Sequence, residues 1–260
     1  MIDDIRRITK EAGIAIMKTY NAPSQVEFKD DNSPLTQADR AAHDCIVAAL
    51  TKLTPDIPVL SEESEGITVE ERMKWKKFWL VDPLDGTKEF IKKTGQFTVN
   101  IALIENCEAT LGVVLAPASD LEYFAVRDKG AFKRKGECDP TSINVSKADK
   151  NKLRIVASRD HAGTKIVAML DKLPSAELVS MGSSLKFCLI AEGKADIYPR
   201  FVPTMEWDTG AAQCILEEAG GSVCTLDGYR LKYAKEDIRN RSIIAAGHPT
   251  IDWKALIPKD

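Results

Sequence analysis

Apolar residues recur at helical spacing from the start of the chain: Ile5, Ile8, Ala12, Ala15 and Ile16 predict an amphipathic helix ending near Tyr20. A charged stretch (27–31) and a turn at Asn32-Ser33-Pro34 separate it from a second helix. There Ala42, Cys45, Ile46, Ala49, Leu50 and Leu53 form one apolar stripe. Thr36-Gln37-Ala38-Asp39 is a capping signature for its start, and Pro55 and Pro58 close it. Val59-Leu60 reads as a short strand, and a polar stretch of helical character (69–77) follows. The apolar run 78–81 reads as a buried strand that Pro83 stops, with Asp82 at its end, because the residue before a proline is held extended.

Residues 97–104 and 110–115 read as strands paired across Glu105-Asn106-Cys107-Glu108, and 123–126 with 130–133 continue the meander. The rhythm then changes. Strands at 153–158, 177–181, 195–198, 222–225 and 243–246 alternate with helices at 163–173, 184–192 and 208–219, the pattern of an α/β layer. The stretch 136–151 is the expected junction, dividing the chain into an α+β part (1–140) and an α/β part (141–260).

Composition narrows the chemistry. With 36 basic and 39 acidic residues the net charge is −3, so no global field favours a nucleic acid polymer or an anionic membrane. The acidic N-terminus has no apolar segment behind it and no run reaches membrane-spanning length, so a cytoplasmic protein is expected, with peripheral attachment to the inner membrane left open. Six cysteines without a C-x-x-C pair read as reduced core thiols. Three histidines (43, 161 and 248), none four residues from another, argue against zinc.

Four acidic clusters remain: Asp39, Glu62 with Glu63, Asp82 with Asp85, and Asp208. Each has a bland account. Asp39 can simply complete the capping box, Glu62 and Glu63 can be a solvated loop, and Asp208 can favour the positive end of a helix dipole. Asp82-Pro83-Leu84-Asp85-Gly86-Thr87 can be an Asx-type turn. Position argues otherwise, because three clusters directly follow a strand or open a helix, where chain ends converge and ligands bind. Carboxylates without histidine or thiolate select a hard cation, Mg²⁺ by default and Mn²⁺ as a substitute, and such a site suits phosphoryl chemistry. No phosphate-binding glycine loop of the G-x-x-x-x-G-K type and no D-x-D nucleophile motif is present.

These motifs resemble those of a known family. Asp82 to Thr87 resembles the D-P-[IL]-D-G-T motif of the Mg²⁺-dependent, lithium-sensitive inositol monophosphatase-like phosphatases. Glu62-Glu63 is similar to the family's E-E element, and Trp207-Asp208-Thr209 with Gly220-Gly221 to its W-D-x-[AG]-A…E-A-G-G motif. Gly210-Ala211-Ala212-Gln213 departs from the expected Ala-Ala-Gly order. Asp85-Gly86-Thr87-Lys88-Glu89-Phe90, Gly182-Ser183-Ser184-Leu185-Lys186, Tyr198-Pro199-Arg200 and Ser158-Arg159-Asp160-His161 look like the 3′(2′),5′-bisphosphate nucleotidase (CysQ-type) branch.

The resemblance implies a layered αβαβα sandwich with the site between its two parts. It implies two or three Mg²⁺ ions held by Glu62, Asp82, the Leu84 carbonyl, Asp85 and Asp208. Asp39 and Thr87 are then expected to orient and deprotonate the attacking water, with Glu63 behind them. Gly86, Thr87, Lys88, His161, Ser183, Lys186, Arg200 and Asp208 are expected to contact a nucleotide bisphosphate. From the residues alone, Lys186 and Arg200 read equally as surface charges, and His161 equally as a structural histidine. The expected reaction is removal of the 3′-phosphate of adenosine 3′,5′-bisphosphate by a monomer or homodimer. The alternatives are an inositol or sugar phosphatase and a catalytically silent phospholigand-binding protein.

Overall fold

The computed structural model describes residues 1–20, 26–28, 34–147, 149, 152–157, 164–173, 175–247 and 253–256. Helices α1 (Ile2–Tyr20) and α2 (Gln37–Leu53) flank a two-stranded ribbon of β1 (Val26–Phe28) and β2 (Pro34–Thr36), so Pro34 opens a strand rather than a turn. Then come β3 (Val59–Ser61), α3 (Val69–Arg72), β4 (Lys77–Asp85), α4 (Thr87–Ile91), β5 (Thr98–Glu105), β6 (Glu108–Ala116), β7 (Leu121–Val126), β8 (Ala131–Lys135) and β9 (Thr141–Ile143). The second half comprises β10 (Arg154–Ala157), α5 (Thr164–Asp171), β11 (Glu177–Ser180), α6 (Leu185–Ala191), β12 (Ile197–Arg200), β13 (Thr204–Met205) and α7 (Glu206–Glu218), followed by β14 (Ser222–Thr225), β15 (Arg239–Asn240), β16 (Ile243–Ala246) and α8 (Trp253–Leu256).

Strands β3 to β9 form a seven-stranded sheet in sequence order, antiparallel except for the β3–β4 pair. Strand β9 belongs to it as well, so this sheet extends to Ile143. A second sheet has the order β11-β10-β12-β16-β14. Alternation along β4 explains its unbroken apolar run. Trp79 and Val81 pack with the stripes of α1 and α2, whereas Phe78 and Leu80 pack with α6 and α7 on the opposite face. Val156, Tyr198, Val223 and Ala245 of the second sheet join that inner core, and Ile155, Ile197 and Ile244 face Met169 and Trp253 outside. Helices, sheet, helices, sheet, helices: the expected αβαβα layering is present.

Two details of this packing differ from the sequence reading. Pro83 does not end β4. The ladder with β5 shifts register between Asp82 and Asp85, and β3 reaches only to Val81, so the missing Pro83 N–H interrupts no pairing. Helix α7 starts at Glu206, two residues before Asp208. It lies on the first sheet at van der Waals contact: a Cβ on Gly112 of β6 would fall 2.3 Å from the Ala211 carbonyl oxygen. A Cβ on Gly210 would meet Leu80 at 2.9 Å and Ala102 at 3.2 Å, so Gly210-Ala211-Ala212 meets the need for small residues in its own order. Among the described residues no helix is long and apolar enough to cross a membrane, and all six cysteines are free.

Candidate metal and phosphate site

Parallel pairing of β3 with β4 sets Ser61 opposite Val81, and the Glu62 N–H donates to the Val81 carbonyl at 3.0 Å. Both strands therefore run toward the same edge of the sheet, with Glu62 and Asp82 as neighbours. The first turn of α2 adds buried Asp39, and the first turn of α7 adds Asp208. Asp82, Asp85 and Asp208 offer carboxylate oxygens that all lie within 4.8 Å of one another. Glu62 is not part of that tight group; its charge still acts on Asp82 and Asp208.

The electrostatics are those of a cation site. Burial, then the charges of Glu62, Asp85, Asp208 and Asp39, push the Asp82 carboxyl well above the usual carboxylate range. Burial and the Asp85 charge raise Asp208 to about 7, against the hydrogen bond it accepts from the Met205 N–H at 2.8 Å. Carboxylates this close repel unless a cation or protons intervene, and the donor set is all oxygen, which fits a hard divalent ion.

Local backbone geometry aims the motif. Asp82 Oδ1 accepts the Leu84 N–H at 3.1 Å, and the Thr87 hydroxyl donates to the Leu84 carbonyl at 3.5 Å. Gly86 has φ +94°, a left-handed conformation that turns the bulge into α4 without Cβ strain. Lys88 is exposed on α4, and Glu63 is half-buried in the loop after β3.

From the other half of the chain, Ser183 and Lys186 are buried at the start of α6, and Arg200 ends β12. Lys186 lies 5.4 Å from the Tyr198 ring centroid, and burial lowers its pKa to about 8 while the Asp85 charge opposes the drop. Lys186 and Arg200 are thus buried or half-buried cations, not freely solvated ones. The Ser183 Oγ and Arg200 Nε are buried with no hydrogen-bond partner among the described residues, two donors left for a ligand. His161 lies outside the described residues.

Thr98 and Asn100 went unnoticed in the sequence, and Ser184 was read only as part of a nucleotide-binding segment. Asp85 Oδ2 accepts from the Ser184 N–H at 2.6 Å, the Ser184 hydroxyl at 2.9 Å, and Thr98 and Asn100 at 3.5 Å each. A signal existed: Thr98 and Asn100 are polar at alternate positions of an otherwise apolar strand, which puts both on one face.

The sequence profile of the inositol monophosphatase family matches residues 3–257. The chain is 45% identical over 239 residues to the 3′(2′),5′-bisphosphate nucleotidase CysQ of Salmonella typhimurium, covering 91% of this chain and 95% of that protein. It is 46% identical, at the same coverage, to the CysQ nucleotidase of Escherichia coli K12. The crystal structure of CysQ from Bacteroides thetaiotaomicron superposes with a TM-score of 0.82 at 42% identity, covering 92% of this chain and 94% of the other. Profile, sequence and fold agree, and the chain belongs to the inositol monophosphatase family.

Proposed function

We propose that the chain is a Mg²⁺-dependent phosphomonoesterase that removes the 3′-phosphate of adenosine 3′,5′-bisphosphate, giving AMP and phosphate. The observation that carries this reading is the meeting of Asp82 and Asp85 with Asp208 from the other half of the chain, beside buried Lys186 and half-buried Arg200. The names and identities of the CysQ relatives support the substrate. Glu62, Asp82, the Leu84 carbonyl, Asp85 and Asp208 would hold two or three Mg²⁺ ions, or Mn²⁺ in their place, which when bound supply Lewis-acid activation of water and charge neutralisation at the leaving oxygen. Asp39 and Thr87 orient the attacking water, and Asp39 accepts its proton. Glu63 supports this pair from the adjoining loop. The N–H groups of Gly86 and Thr87 face the reacting phosphate, with Lys88 at the rim and His161 beside the nucleoside. Ser183, Lys186 and Arg200 hold the second, non-reacting phosphate. Six free thiols support a reducing, cytoplasmic setting.

Phosphate release measured on the bisphosphate nucleotide, inositol 1-phosphate and fructose 1,6-bisphosphate, with and without Mg²⁺, tests this. The nucleotide is expected to give the highest kcat/KM, with release lost on chelation. A preference for inositol phosphate overturns the substrate, and no release from any of them overturns the enzyme.

Lys186 gives a second test. Its native pKa of about 8 lies below the ordinary value of 10.5, so the folded protein gives up this proton first. Between those two values unfolding takes up a proton, and stability rises with pH through that window. Loss of the charge above about pH 8 weakens the grip on the second phosphate, so KM for the bisphosphate rises there while KM for adenosine 3′-monophosphate, which lacks that phosphate, stays flat. Lys186→Met is expected to remove this pH dependence, raise KM at neutral pH and leave the protein at least as thermostable. An unchanged KM profile would show that Lys186 does not hold phosphate.

A further inference from the structure

We infer that Ser184 is a positioning residue that sets the spacing of Asp85 and Asp208 and so tunes cation affinity. This rests on reading those two carboxylates as cation ligands. The two arrive on separate scaffolds, Asp85 at the end of β4 and Asp208 on α7. Ser184 touches both. Its N–H and hydroxyl reach Asp85 Oδ2 at 2.6 and 2.9 Å, and the same hydroxyl lies 2.8 Å from the carbonyl oxygen of Asp208. The hydroxyl also accepts from Asn100 Nδ2 at 3.0 Å, which fixes where its oxygen sits.

The local backbone is arranged for this. Ser183 has φ +48°, a left-handed conformation that a serine adopts only under constraint, and it turns the Ser184 N–H and side chain toward one carboxylate oxygen. The neighbouring Gly182 is pinned as well: its N–H donates to Gln96 Oε1 at 2.9 Å, and a Cβ there would lie 2.7 Å from the Gln96 carbonyl oxygen. The loop 182–184 is therefore clamped at both ends, by Gln96 ahead of β5 and by Asp85 at the end of β4. Four donors converge on Asp85 Oδ2, and together they hold the carboxylate in one orientation. Fixing the ligand in this way spares the ion the cost of ordering it, as partners behind metal ligands do generally.

Ser184→Ala keeps the N–H contact but removes the hydroxyl link, leaving the buried Asn100 amide only its longer 3.5 Å contact with Asp85 Oδ2. The test is the Mg²⁺ concentration that gives the half-maximal rise in melting temperature of the metal-free protein, with Mg²⁺ alone as the probe and isothermal titration as a second reading. For Ser184→Ala this concentration is expected to rise about 10- to 100-fold. In turnover at saturating Mg²⁺, kcat is expected to return to within about threefold of the parent, because affinity rather than chemistry is lost. A half-maximal concentration within twofold of the parent overturns the inference. So does a kcat that Mg²⁺ cannot restore. Should Ser184→Ala fail to fold, Asn100→Ala carries the same test with the same two readings. If the parent protein itself shows no Mg²⁺-induced shift, the cation-ligand reading has failed; a parent shift that Ser184→Ala leaves unaltered overturns only the present inference.

Discussion

Asp208→Asn is expected to lower kcat/KM by about a thousandfold or more and, in the absence of divalent cations, to raise the melting temperature. The two effects share one cause. Asp208, Asp82 and Asp85 crowd their carboxylates within 4.8 Å, and Asp208 is raised to about 7 by burial and by the Asp85 charge. The folded protein thus binds a proton there that the unfolded chain, with an ordinary value of 3.8, has released. This group makes the stability of the metal-free protein fall as pH rises from about 4 to about 7. Asparagine removes the charge yet can still accept the Met205 N–H that caps α7. That relief raises the melting temperature of the metal-free protein at neutral pH and not at about pH 4. The catalytic loss follows from removing a ligand whose ion contributes several kcal/mol to charge stabilisation, each 1.4 kcal/mol being about tenfold in rate. Thermal unfolding of the chelated protein at pH 5 and pH 7.5, alongside steady-state kinetics, checks both. A destabilised Asp208→Asn at pH 7.5 would show that the carboxylate cluster is not under repulsion.

Gly112→Ala is expected to destabilise the fold and loosen the site together, although Gly112 touches no ligand residue. Its Cβ would fall 2.3 Å from the Ala211 oxygen and 2.9 Å from the Ala211 carbonyl carbon and Cα, all backbone atoms that no rotamer change can move aside. Helix α7 must therefore lift from the sheet. Overpacking of this kind costs about 1–3 kcal/mol, occasionally more, or roughly 3–10 °C in melting temperature. Asp208 lies three residues before Ala211, so the same lift moves the carboxylate away from Asp82 and Asp85. Mg²⁺ is accordingly expected to stabilise Gly112→Ala less than the parent. Unfolding curves with and without Mg²⁺ measure both quantities, and an unchanged melting temperature would contradict the close approach.

The two predictions mark where local reading of the chain stops. The helices at 2–20 and 37–53 were legible because their stripes repeat with the helical period, and the same rule found most strands. Motif chemistry was legible as well, since carboxylates at a strand end without histidine or thiolate specify a hard cation whatever lies around them. The continuation of β4 through Pro83 was not legible. A proline forbids a ladder hydrogen bond, and only the tertiary structure supplies a position where that bond is absent. Ser184 and Asn100 were hidden for a related reason. The alternation of Thr98 and Asn100 marks a polar strand face but not its partner, and a serine beside Ser183 carries no period at all; their roles exist only where β4, β5 and α7 meet.

The sequence by itself determined which residue types are present and in what order: the acidic motifs, the layered alternation of strands and helices, and the small residues of α7. Spacing along the chain decides these, because periodicity and side-chain chemistry are local properties. The tertiary structure alone decided that Asp85 and Asp208, 123 positions apart, share one oxygen cluster, that Gly112 lets α7 close onto the sheet, and that Ser184 ties the two halves. Distances between distant segments are set by packing, which depends on every facing surface at once and leaves no mark at any single position.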